Sequence, residues 1–232
     1  MTKSCYVLKQ NVSKVIDLFL IAVMLDTSKL VRSKHMETSH FFANISRLKL
    51  IFRWPLMRTV TAENVQEHSH QVATVAHMLA VIKNKKFGGR LDVNQVAIVA
   101  LYHDASEVLT GDLPSPIKYH NEEIARAYKK IENIAEQSLL DMLPEEFRED
   151  FADVIDHHKI PEDIALIVKS ADVVCGYIKA IEEIAAGNHE FEKAKKNIEK
   201  SLEKYQTEEL QYFMKVFLPS FSLSFDEISR PL

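Results

Sequence analysis

Apolar positions recur at three- and four-residue spacing along most of the chain, a period that predicts helices rather than strands. The longest stripe reads Val65, Val72, Val75, Leu79 and Ile82, and it predicts a helix over about 63–83. His68 fills the gap between Val65 and Val72 at the same spacing, so one histidine points inward. His70 and His77 lie about 200° and 180° away around the helix and face solvent. A second stripe, Val93, Val96, Ala97 and Ala100, begins after an Asp92 cap. Continued, it brings His103, Asp104 and Glu107 onto the buried side before Gly111 ends the helix.

The same reading extends along the chain. A helix from Ser39 places Phe41, Ile45, Leu48 and Phe52 on one face and ends at Arg53-Trp54-Pro55, because proline pushes Trp54 out of helical geometry. The segment DLPSPIK, 112–118, carries two prolines and is expected to be a loop. Asn121 with Glu122 and Glu123 caps a helix to about Leu143, and Pro144 opens another that ends near Asp156-His157-His158-Lys159. His157 and His158 read as exposed rather than as ligands. A helix from Pro161 to Gly187 buries Ile164, Val168, Ala171, Cys175 and Ile178, with Asp172 among them. The charged stretches 190–203 and 207–217 read as helices with solvated faces.

Composition narrows the class to an all-α fold. With 232 residues and 47% hydrophobic content the chain can bury one domain core, and five glycines and seven prolines are too few for turn-rich β architecture. A net charge of −4 supplies no basic stripe for a nucleic acid polymer, while leaving room for a small phosphorylated substrate. Cys5 and Cys175 form no CxxC pair, which fits a reducing cytoplasm. The run VIDLFLIAVML, 15–25, is too short to span a membrane and carries Asp17. Residues 1–35 are therefore read as an extension, with Met36 as an alternative start, and 36–232 as the domain.

Chemistry enters through the polar residues on buried stripes. His68, the pair His103-Asp104, and Asp172 come from three predicted helices, and an uncompensated buried charge costs several kcal/mol. Two imidazoles and two carboxylates suit a divalent first-row ion such as manganese, cobalt, iron or zinc. The alternative is a set of hydrogen-bonded structural pairs. Neighbouring helical residues point about 100° apart, so His103 and Asp104 share one ion only where several helices cross.

The order His68, His103-Asp104, Asp172 on a helical chain resembles the HD-domain metal phosphohydrolases. The segments SHFFANISRLKLIFRWPLMR, ENVQEHSHQVA and YHDASEVLTGDLPSPIKY are similar to those of the bacterial 5′-deoxynucleotidase family, a resemblance that spans about 39–229. It implies an HD-domain helical bundle, a homodimer, and one divalent ion, cobalt, manganese or another first-row metal, on His68, His103, Asp104 and Asp172. It also implies Arg53 orienting the phosphate, Trp54 crowding the sugar 2′ position, and Glu107 as the acid/base carboxylate. Asp112, Leu113, Pro114 and Ser115 would line the substrate together with His68, Asp104 and Asp172. The family often has threonine where Ser115 stands. The implied substrate is a 2′-deoxyribonucleoside 5′-monophosphate, selected against ribonucleotides. A cyclic nucleotide, a triphosphate or guanosine tetraphosphate would suit another HD phosphohydrolase, and a non-catalytic nucleotide-binding module is the third reading.

Overall fold

Asn64 sets where the central helix begins. Its side chain accepts from the Glu67 amide at 3.0 Å while the Glu67 carboxylate accepts from the Asn64 amide at 3.3 Å, a reciprocal cap that satisfies two end donors. The computed structural model describes residues 38–229, and its helices belong to the unit that begins at Phe41. In chain order they are α1 (Phe41–Ile45), α2 (Val65–Lys86), α3 (Val93–Tyr102), α4 (Glu107–Thr110), α5 (Ser115–Lys118), α6 (Glu122–Asp141), α7 (Arg148–Ile155), α8 (Glu162–Ala185), α9 (Glu192–Leu202), α10 (Glu208–Val216) and α11 (Phe225–Ile228). Short 3₁₀ turns join several of them, and no strand longer than the single Phe52–Asn64 bridge occurs among the described residues.

The α2 stripe expected from the sequence is buried throughout, from Val65 to Ile82. It packs on α3, α8 and α10. Each fully buried aliphatic side chain there contributes roughly 1.5–3 kcal/mol relative to exposure. His70 and His77 face solvent as expected. A second, smaller core gathers Phe41, Leu139, Leu140, Leu143, Ala152 and Ile155 around Ala105. Ala100 belongs to the first core and Ala105 to the second, so the chain between them is anchored at both ends.

Four features differ from the sequence pattern. After α1 the chain tightens into a 3₁₀ turn, Ser46–Leu50, and Phe52 is exposed at the bridge rather than buried. The segment 112–118 is not wholly loop, since Ser115–Lys118 makes a helical turn. Pro116 sits in its first turn, where a missing amide costs no helical bond. The helix after Asp92 ends at Tyr102, so His103, Asp104 and Glu107 do not continue its face. Finally, Glu209 on α10 is buried, with Lys83 at 3.4 Å, rather than solvated. The expected extension 1–35 and Cys5 lie outside the described residues. No described helix is long and apolar enough to cross a membrane.

Candidate active site

The break after α3 builds the site. In a continuing helix the Asp104 amide would take the Ala100 carbonyl; here the His103 ring takes it through Nδ1 at 2.8 Å. Bonds from Ala105 to Tyr102 and from Glu107 to Asp104 then close a tight turn. The turn re-aims the two neighbouring side chains, so His103 and Asp104 converge instead of diverging by a helical step.

A carbonyl only accepts, so Nδ1 of His103 carries a proton, and Nε2 is the nitrogen left to take a cation, whether a second proton or a metal ion. That nitrogen is buried, has no donor, and faces Asp104 Oδ2 at 3.1 Å. A carboxylate facing that nitrogen needs a cation between or beside the two, a proton or a metal ion. His68 Nε2 lies 3.1 Å from Asp172 Oδ1 and 3.7 Å from the same Asp104 Oδ2. Donor atoms of His68, His103 and Asp104 all fall within 4.8 Å of one another. Three of the four residues expected from the sequence therefore converge, Asp172 adjoins them through His68, and a nitrogen and oxygen donor set with an orphaned imidazole nitrogen fits a divalent first-row ion.

Burial opposes ionisation of Asp104 and of Asp172, yet their neighbours outweigh it. His103 does so for Asp104, and Lys169 with His68 for Asp172, holding both carboxyls below the usual range. Lys169 Nζ sits 2.6 Å from Asp172 Oδ2, which leaves Oδ1 for the His68 side.

Glu107 behaves oppositely. It opens α4 rather than extending α3, its Oε2 is buried without a partner, and burial with the fields of Asp104 and Asp112 pushes its carboxyl up to about 10. It stays protonated at neutral pH.

Arg53 and Trp54 reach the site from the loop before α2. Arg53 Nη1 lies 3.6 Å from Asp104 Oδ2, and although burial disfavours its charge, Asp104, Asp172 and Glu63 raise the guanidinium pKa. Trp54 occupies the left-handed region at φ +61°, unusual for a bulky residue and costing about 1–3 kcal/mol. Its indole donates to Glu63 Oε2 at 2.7 Å and its ring packs on Phe191 at 5.2 Å. Burial, reinforced by Asp104, raises the Asp112 carboxyl against the opposing pull of Arg53 and His68. Leu113 and Pro114 follow half-buried, and Ser115 is exposed at the start of α5.

A cleft of about 550 Å³ opens from His103, Asp104 and Glu107 and runs past Lys118 and Lys169 to Glu136 and His157. His157 is half-buried rather than exposed: Nδ1 pairs with Glu136 Oε2 at 2.8 Å, while His158 stays exposed. Of the three cleft lysines, Lys118 pairs with Glu132 and Lys169 with Asp172, each at 2.6 Å, while Lys129 and Arg126 also line the wall.

Two residues escaped the sequence reading. Glu63 contacts Arg53, Trp54 and His68, but it precedes an ordinary capping box and carries no periodic signal. Lys169 stands three residues before Asp172, a spacing that does bring side chains together on a helix.

A family model described as 5′-deoxynucleotidase YfbR-like matches residues 40–221. A 5′-deoxynucleotidase from Enterobacter sp. is 60% identical over 195 residues, covering 84% of this chain and 98% of the relative. The solved structure of an HD-domain phosphohydrolase from Listeria innocua is similar with a TM-score of 0.69 at 23% identity, over 78% of this chain and 88% of that one. The cyanophage S-2L HD phosphohydrolase DatZ, bound to dA and one catalytic zinc ion, is similar with a TM-score of 0.52 at 18% identity, over 78% of this chain and 95% of that one.

Proposed function

The chain belongs to the YfbR-like 5′-deoxynucleotidase family and hydrolyses 2′-deoxyribonucleoside 5′-monophosphates to deoxynucleoside and phosphate, and from that premise we propose how its residues divide the work. His68, His103, Asp104 and Asp172 hold one divalent ion, cobalt, manganese or another first-row metal. When bound, the ion polarises a phosphoryl oxygen and makes water a better nucleophile. The observation that carries the assignment is the buried His103 Nε2 facing Asp104 Oδ2 with no donor between them.

Arg53 presents a planar fork of donors beside Asp104 and orients the phosphate, stabilising charge as it builds up. Glu107 holds a proton and gives it to the departing O5′. Asp112 with Leu113, Pro114 and Ser115 lines the nucleoside. Trp54 stands where a 2′-hydroxyl would collide, so ribonucleotides are rejected by sterics. Residues 36–232 form the catalytic domain, which works as a homodimer in the cytoplasm.

The test pairs metal content with substrate choice. His68→Ala is expected to abolish stoichiometric cobalt binding after chelation and reloading, and full binding would refute the ligand assignment. Trp54→Ala is expected to lower the dAMP/AMP rate ratio roughly tenfold. An unchanged ratio would refute the steric wall.

A further inference from the structure

We propose that Glu63 is a positioning residue that couples sugar selection to metal binding, an inference that rests on the reading of Trp54 as the sugar wall and His68 as a ligand. One carboxylate faces three donors from two parts of the chain. Glu63 Oε2 accepts the Trp54 indole at 2.7 Å and lies 3.4 Å from Arg53 Nε, while Oε1 lies 3.6 Å from His68 Nδ1. Its backbone adds a fourth tie, accepting the Arg53 amide at 2.9 Å.

Each tie answers a need. Trp54 sits in a disfavoured backbone region and keeps its side chain in place only if something outside its own backbone holds it. The indole has a single N–H, and Glu63 takes it. His68 is fully buried, and its Nδ1 has no hydrogen-bonding partner. If Nε2 serves a metal, Nδ1 carries the proton and looks toward Glu63, the arrangement by which an outer carboxylate fixes a ligand's tautomer and ring orientation. Burial resists the Glu63 charge, but His68, Arg53 and Trp54 hold its carboxyl low.

Three substitutions separate the two duties. Trp54→Phe removes the indole donor alone and is expected to shift the dAMP/AMP ratio while cobalt affinity, read by equilibrium dialysis, stays at the wild-type value. Glu63→Gln keeps an oxygen for the indole but loses the charge facing His68 and Arg53. Its ratio is expected to stay within about twofold of wild type while cobalt binds roughly tenfold more weakly. Glu63→Ala removes both, lowering the ratio roughly tenfold and weakening cobalt roughly 10–100-fold. Wild-type cobalt affinity in Glu63→Gln or Glu63→Ala, or a wild-type ratio in Glu63→Ala, overturns the proposal. If circular dichroism shows Glu63→Ala to be unfolded, Glu63→Gln and Trp54→Phe decide by the same criteria. Failure of the underlying reading shows up elsewhere, as an unchanged ratio in Trp54→Ala or unchanged cobalt binding in His68→Ala.

Discussion

Asp172 and Glu183 stand about three turns apart on the same helix, α8, and each takes a lysine of that helix at 2.6 Å, but the groups packed beside them differ. Glu183 accepts from Lys179 at 2.6 Å, from the Val60 and Thr61 amides at 2.8 and 3.1 Å, and from Asn188 at 2.8 Å. Burial opposes its charge, yet these donors hold the carboxyl down at about 2. Every acceptor there is answered by the chain, and the result is an anchor for the loop that follows Trp54. Beside Asp172, Asp104 Oδ2 faces the unpartnered His103 Nε2, and Glu107 keeps an orphaned oxygen. A buried charge that the chain has answered holds structure, whereas one left unanswered marks where something else binds.

The contrast breaks most sharply if Asp104→Ala keeps its activity. Removing the carboxylate shared by both imidazoles is expected to cut dAMP hydrolysis roughly a thousandfold while leaving the metal-free melting temperature unchanged or higher. Glu183→Ala should do the reverse. It strands Lys179 and two amides, and is expected to cost about 3–5 kcal/mol in urea unfolding while cobalt stoichiometry is kept. Glu107 sharpens the comparison through pH. Its carboxyl is neutral in the folded protein up to about 10 but ionises at its ordinary value when unfolded, so above that value unfolding releases a proton and stability falls as pH rises. Glu107→Gln is expected to remove that slope and stabilise the metal-free protein at pH 8 by about 1–2 kcal/mol, read by thermal melts against the same protein at pH 5. Smallest of all, His157→Ala at the far end of the cleft, where the ring already pairs with Glu136, is expected to leave the hydrolysis rate within about twofold.

How far the sequence announced this arrangement depends on which signal each residue carries. His68 and Asp172 were legible because each stands inside an apolar stripe whose period continues on both sides, so their direction follows from helical geometry. His103 and Asp104 were legible as buried polar residues but not in their convergence. That depends on the His103 ring competing for a carbonyl, a local bond that periodicity does not register. The Ser115–Lys118 turn carries no sequence signal because proline breaks a helix interior yet is tolerated in a first turn, and the sequence alone does not say which position it holds. Glu63, Glu183 and Glu209 were lost for a common reason: an acidic residue in a charged stretch reads as solvated until long-range packing puts a donor beside it.

The backbone at Trp54 has a consequence for remodelling the specificity. At φ +61° glycine sits without the penalty that any other residue meets. If Trp54 is the sugar wall proposed above, exchanging the indole for a bare hydrogen would widen the entrance and relieve the main chain in one step.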